Sequence, residues 1–382
     1  MILTQCAVCA TDLGLSLGKK CGRCSTRYCG AACQKQHWEE GGHDKLCKAI
    51  KKAGGAEQYN ANQKYTAAVA VAAEACAEDT KGQTCYICTQ ALHRHTKEGL
   101  VRMCACRGTA GFAHVSCLAE EAKILVAEAW ENNLDSKAFD KRWRRWDTCS
   151  LCEQRYHGVV ACALGWACWK TYVGRLETDE AKGLAMTQLG NGLSAVGNWA
   201  DALSVREAEL STLRRIGAPL SAILAAQGNL ANTYQYLGRL DEALPLRQDV
   251  YSGRVRLSGE EHELTLVAAN NYASSLVDLQ RFEEAKALLR KTNPVARRVI
   301  GASHELTLRM GWTYALALYK DDGATLADLR EAVTTLVETT QTARRVLGGA
   351  HPLLAPIEIS LRNAGAALSG ALAARDPPPR GA

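Results

Sequence analysis

Fourteen of the seventeen cysteines in this 382-residue chain fall, with two histidines, into two blocks of eight metal-ligand residues. The first block is Cys6, Cys9, Cys21, Cys24, Cys29, Cys33, His43 and Cys47. The second is Cys85, Cys88, Cys104, Cys106, His114, Cys117, Cys149 and Cys152. A Cys-x-x-Cys turn supplies two thiolates, half of a tetrahedral zinc site, so sixteen ligands account for four zinc ions. Each block is too short to bury much apolar area, and metal then has to supply the folding energy. Cys29 and Cys33, like His43 and Cys47, sit four apart, a spacing that puts both side chains on one helix face.

The compartment follows from the same residues. Met1 to Leu3 lead straight into Thr4 and Cys6 without a basic or apolar leader, so paired thiols read as metal ligands in a reducing cytoplasm or nucleus rather than as disulfides. The longest apolar run, Val159 to Trp169, rises only about 17 Å as a helix, against roughly 30 Å of hydrocarbon, and reads as one buried helix of a soluble protein. The formal charge of +6 counts cysteine as neutral. Fourteen thiolates and four dications bring the total to about zero, which removes the basic field a nucleic-acid binder needs. The tract Lys141 to Trp146 is therefore read as tryptophans packed on a zinc core with cations left in water.

Residues 1–52 resemble the MYND zinc fingers. Tyr28-Cys29, Cys33-Gln34, His37-Trp38 and His43-x3-Cys47 carry the resemblance. It implies one zinc on Cys6, Cys9, Cys29 and Cys33, another on Cys21, Cys24, His43 and Cys47, and a module that binds proteins, often proline-containing peptides. His37 reads as an exposed helix residue, and Trp38 as either a docking surface or packing beside the metal. After Gly54-Gly55, the alanine-rich stretch within 53–84 reads as a helical linker that carries Cys76 as packing filler.

Residues 85–157 resemble the RING-CH family of ubiquitin ligases through Cys104-x-Cys106-Arg107-Gly108 and His114-x2-Cys117-Leu118. The resemblance implies a cross-brace: Cys85, Cys88, His114 and Cys117 on one zinc, Cys104, Cys106, Cys149 and Cys152 on the other. It also implies a ubiquitin-conjugating enzyme as partner, held by an aliphatic residue inside the first cysteine pair, here Ile87, and by an aromatic residue between the sixth and seventh ligands. Trp130, Trp143 and Trp146 are candidates, with Trp146 taken as the contact. The chain departs from the family in its long Cys117–Cys149 spacer, in Glu121 where a tryptophan is expected, and in Glu153 and Gln154 ahead of Arg155. Residues 158–174 read as a bridging helix, with Cys162 and Cys168 as filler.

From 175 to 374 the chain repeats. His262-Glu263-Leu264-Thr265-Leu266 recurs as His304-Glu305-Leu306-Thr307-Leu308, 42 residues on, and Gly217, Gly259 and Gly301 share that step. Such a period means stacked helix pairs, each completing its neighbour's core. The repeats resemble the tetratricopeptide repeats of kinesin light chains through residues 228–244, 270–286 and 349–352. Four helix pairs and a closing helix near 353–374 are expected, with Asn229 and Asn271 at equivalent positions facing an extended peptide. The tail 375–382, with Pro377-Pro378-Pro379, reads as disordered polyproline that a finger of this kind could hold.

The sequence thus predicts a mainly α protein: two small zinc-stabilised domains followed by an α-solenoid. No nucleotide loop or nucleophile–base set accompanies them. The function expected is a soluble ubiquitin ligase whose finger and solenoid choose a protein or peptide substrate, or else a non-catalytic adaptor built from the same modules. Neither reading requires membrane or nucleic acid.

Overall fold

The computed structural model describes residues 6–11, 13, 18–349 and 351–375. Of the disordered tail expected at 375–382, Arg375 instead ends the last helix and the rest lies outside the described residues, as does Ala350 of the 349–352 stretch. The described residues are mainly helical and part into two compact units between Ala218 and Pro219. No helix among them is long and apolar enough to cross a membrane.

The first unit opens with a two-stranded antiparallel hairpin, β1 (Lys19–Lys20) and β2 (Arg27–Tyr28), paired Lys19 to Tyr28 and Lys20 to Arg27. Two short helices follow, α1 (Ala31–Glu39) and α2 (His43–Lys52). Their core is small: Cys6, Leu13, Cys21, Cys24, Tyr28, Cys47 and Ile50. Four of those seven are candidate metal ligands, so apolar burial alone leaves this segment marginal.

The expected linker is a structural helix. In α3 (Ala56–Ala75), Ala61, Tyr65, Val69 and Ala72 form a buried stripe at helical spacing, and Gln58 Nε2 donates to the Lys170 carbonyl at 2.9 Å. Lys170 belongs to α6 (Gly158–Tyr172), the apolar run. This helix is buried almost all round because it is surrounded: it packs against α3, α4 (Val115–Glu131) and α7 (Glu180–Ala195). Cys168 is buried within it, and Cys76 is buried at the end of α3. The same core takes in Cys85, Cys117, Cys149, Trp146 and Phe112, so the second zinc block is continuous with the helices around it. Between α4 and α6 lie α5 (Ser136–Trp143) and one 3₁₀ turn, Arg144–Trp146.

Helices α6 and α7 approach closely because glycines face each other. A Cβ on Gly192 would lie 2.8 Å from the Ala161 carbonyl oxygen and 3.1 Å from the Cys162 Cα, and one on Gly165 would lie 3.0 Å from the Gln188 carbonyl oxygen. These are backbone atoms and cannot rotate away. Gly192→Ala is therefore expected to force the helices apart and to lower the stability of the first unit by about 1–3 kcal/mol, read by urea denaturation of zinc-loaded protein. Gly183→Ala, whose Cβ would meet nothing within 4 Å on the same helix, is the control.

Helix α7 and α8 (Trp199–Arg215) form the first of the four helix pairs counted in the sequence, and they belong to the first unit. The second unit contains α9 (Leu220–Tyr236) with α10 (Leu240–Ser258), α11 (Glu263–Asp278) with α12 (Phe282–Val299), and α13 (Glu305–Tyr319) with α14 (Leu326–Leu347), then α15 (Leu354–Arg375). Each helix packs on the next. Ala231, Ala243, Ala273 and Ala285 are fully buried where helices meet. His262 and His304 are N-caps of α11 and α13, and His351 makes the same turn bond ahead of α15. Nδ1 of His262, His304 and His351 accepts from the backbone N–H two residues on, at 3.1, 3.2 and 3.2 Å.

Candidate metal centres and a peptide groove

The sixteen ligand residues converge as four tetrads, and in each the four ligand atoms lie within 4.8 Å of one another. The first block gives Cys6, Cys9, Cys29 and Cys33 in one tetrad, and Cys21, Cys24, His43 and Cys47 in the other. The second gives Cys85, Cys88, His114 and Cys117, then Cys104, Cys106, Cys149 and Cys152. Both blocks are interleaved, so each metal ties together chain segments distant in sequence.

One local device builds half of every tetrad. After each Cys-x-x-Cys pair the backbone turns through a left-handed residue: Ala10, Ser25, Thr89 and Glu153, with φ of 56°, 63°, 61° and 55°. In each turn that residue's N–H donates to the carbonyl of the first cysteine, at 3.1, 3.0, 2.8 and 3.0 Å. The first cysteine's own N–H donates to the carbonyl five residues on, at 2.8, 2.8, 3.0 and 2.9 Å. Left-handed backbone is uncommon for residues with a Cβ, and its recurrence at four metal turns marks them as one motif used four times.

The donor chemistry fits a dication. The Cys9 and Cys29 sulfurs are 3.5 Å apart, as are those of Cys29 and Cys33. Hydrogen bonds from Thr11 pull the Cys9 thiol down to about 6, while the Cys29 sulfur beside it pushes Cys33 up to about 12. Thiols this crowded cannot all ionise unaided, and a bound Zn²⁺ removes the conflict. His43 turns Nε2 toward Cys24 Sγ at 3.3 Å. His114 turns Nδ1 toward Cys88 Sγ at 3.4 Å, while its Nε2 lies 3.4 Å from the Ala91 carbonyl, which fixes the tautomer a metal ligand needs.

Beside the finger's second tetrad the structure corrects the reading of His37. It is half-buried, not exposed: its Nδ1 lies 3.0 Å from the Tyr28 hydroxyl and its ring packs tilted against that of His43, with centroids 4.8 Å apart. Burial and the neighbouring His43 hold its imidazole below its ordinary value. Trp38 stays exposed, with its ring edge 5.8 Å from His43.

Trp146 is a second correction. It is fully buried, packed edge-on against Tyr172 at 5.8 Å, and its carbonyl accepts from Gln188 Nε2 at 3.2 Å. A side chain with no exposed surface touches no partner. Trp143 and Trp130 are held in the same aromatic cluster with Phe139 and Tyr172. Of the tract's cations Lys141 and Arg144 are exposed and Arg142 is half-buried, whereas Arg145 is largely covered and pairs with Glu153 at 2.7 Å. Ile87 is 39% exposed, and Leu151, at the same place in the last cysteine pair, is 52% exposed. The signal for Leu151 in the sequence is its position between two ligands, the same as that of Ile87.

In the second unit Asn229 and Asn271 line one cavity of about 300 Å³, and neither side-chain amide has a hydrogen-bond partner among the described residues. Asn271 also lines an adjoining cavity of about 440 Å³. Asn232 and Arg247 belong to both, which makes the two one groove along α9, α10, α11 and α13.

Residues 6–47 match the family model of the MYND finger, and residues 221–298 match that of the tetratricopeptide repeat. Residues 6–47 are a MYND finger. Residues 221–298 are tetratricopeptide repeats, a module that binds peptides and proteins. No curated protein matches the chain. Among solved structures it is similar to a Podosopora anserina kinesin-light-chain-type protein with nearly identical TPR-like repeats, at 18% identity over 61% of this chain and 97% of that one, with a TM-score of 0.42. BtubC (BKLC) from P. vanneervenii matches at 14% identity over 70% of this chain and 94% of that one, with a TM-score of 0.43. The complex of the TPR2AB domain of yeast Sti1 with pHSP90 matches at 13% identity over 65% and 99%, with a TM-score of 0.24. The finger is a zinc-binding module, each of the four cysteine–histidine tetrads can hold a metal ion, and finger and repeats together are protein-interaction modules.

Proposed function

We propose that the chain is a non-catalytic, zinc-dependent adaptor that binds proteins through its finger, residues 1–52, and through the groove of its repeats. The single observation that carries the non-catalytic part is the full burial of Trp146, and the metals supply no chemistry of their own. All four metal tetrads are complete with protein ligands, the arrangement of structural zinc, whereas a catalytic zinc keeps a position open for water or substrate. Four ions filling these sites hold two modules, 1–52 and 85–157, in a reduced compartment such as cytoplasm or nucleus. The partners are peptides, for which Asn229 and Asn271 offer unpaired amides along the groove.

The ligand order of the second block, with Ile87 and Leu151 exposed at its metal turns, favours a second reading: a RING-CH-type ubiquitin ligase that positions a conjugating enzyme and its loaded ubiquitin. The adaptor reading is preferred because Trp146 is buried and Trp130 and Trp143 are engaged in packing, which leaves Ile87 without its aromatic companion.

Autoubiquitination with a panel of conjugating enzymes separates the two. The adaptor is expected to form no ubiquitin chains with any of them. Chains made by the native protein and lost in Ile87→Ala establish the ligase instead.

A further inference from the structure

The helix pair α7–α8 contains a buried ionic knot. Arg206 Nη2 donates to Asn191 Oδ1 at 2.6 Å, and Nη1 donates to Glu209 Oε2 at 3.3 Å. Glu209 also accepts from the Thr187 hydroxyl. Arg206 and Glu209 are both buried, and each is the other's counter-ion.

The next pair, α9–α10, repeats this knot 41 residues later with its anion missing. Asn191 becomes Asn232 and Arg206 becomes Arg247, and the same bond forms, Arg247 Nη2 to Asn232 Oδ1 at 2.6 Å. Glu209, however, becomes Val250, and Thr187 becomes Gly228. Arg247 is 4% exposed, and its other partner is again a neutral amide oxygen, Gln235 Oε1 at 2.9 Å. Its Nε has no acceptor, as that of Arg206 has none, but unlike Arg206 it makes no ion pair among the described residues. Asp278, the carboxylate whose field reaches it, is engaged by Gln235 Nε2 at 2.9 Å.

A cavity stands where the anion would be. The 300 Å³ space is lined by Gly228, Asn232, Arg247 and Val250, the four positions equivalent to the complete knot. Arg254 adds a second cation, and no acidic side chain lines either this space or the adjoining 440 Å³. A buried guanidinium without a carboxylate is costly, and burial lowers Arg247 to about 10.

We propose that the cavity beside Arg247 is a receptor for a carboxylate side chain, Asp or Glu, of an extended peptide, which takes the place that Glu209 holds in the preceding helix pair. The proposal rests on the adaptor reading and names the ligand class of its groove. Leu224, Leu264 and Val267 line the same space and accept an aliphatic neighbour of the acidic residue.

The test is panning of a displayed random dodecapeptide library on zinc-loaded, full-length protein. Native chain is expected to enrich peptides with Asp or Glu at one fixed position, and changing that residue to Asn or Gln weakens binding about tenfold, the usual effect of losing a hydrogen bond to a charged group. Arg247→Gln loses the preference. Val250→Glu restores the internal anion, and it is expected to melt no lower than the native chain while losing the acidic preference. Because Val250→Glu mends the knot, it keeps the test valid if Arg247→Gln fails to fold. The proposal is overturned if no peptide is enriched, if the enriched peptides have no fixed acidic position, or if folded Val250→Glu selects the same acidic residue. Enrichment without an acidic position leaves the adaptor reading standing and removes only the carboxylate receptor.

Discussion

Removal of zinc by a chelator at neutral pH is expected to dismantle the first unit in two different ways. The finger's core is seven buried residues, four of them ligands, so without metal nothing holds it and α1 and α2 unfold outright. The second block fails by another route. Cys85, Cys117 and Cys149 are buried in the same core as Trp146, Trp166 and Trp169, so releasing those ligands opens a shared interior to water. Structural zinc contributes on the order of 10–16 kcal/mol per site in small fingers, more than the net stability of most domains. Zinc analysis is expected to find four ions released per chain. Far-UV dichroism loses the contribution of the two short helices, and tryptophan emission shifts to the red as the shared core hydrates. Metal loss with unchanged emission means that the helices hold the core unaided, which contradicts the packing described.

Trp146→Ala should cost about 3–5 kcal/mol, because it empties a fully buried site and removes the ring packed on Tyr172. Ile87→Ala, at a half-exposed metal turn, should cost less than about 1 kcal/mol. Urea titrations of zinc-loaded variants check both. The pair of values decides how each residue is used: a large loss at 146 and a small one at 87 make the tryptophan part of the interior and leave the isoleucine free to contact a partner. A small loss at Trp146 would return it to the surface and reopen the ligase reading.

The ligand tetrads were legible in the sequence because Cys-x-x-Cys spacing admits few geometries, and their interleaving followed from resemblance. The repeat helices were legible because the 42-residue period exposes which residues correspond. What escaped were the relations that spacing does not encode. The stretch around α3 reads as a connector by composition, since alanine is equally at home in a free helix and against a neighbour; its buried stripe appears only once α6 is beside it. His37 looks redundant beside eight ligands, but the Tyr28 hydroxyl draws it inward. The left-handed turns at Ala10, Ser25, Thr89 and Glu153 occupy residues with no common chemistry, so no residue type announces them. Arg247 escaped for a different reason. Its importance lies in Val250 standing where the equivalent position has Glu209, a difference between repeats that a search for similarity overlooks.

Helix α3 has one more consequence. Its twenty residues extend about 30 Å, and they are clamped along their length to the interior that surrounds the second zinc block. The finger is therefore not carried on a string. A bivalent ligand that grips the finger and the second block together meets two sites at a set spacing, and it gains avidity only when its own spacer suits that span. Ligands with shorter or much longer spacers would bind as though monovalent, because this helix sets the distance between the two modules.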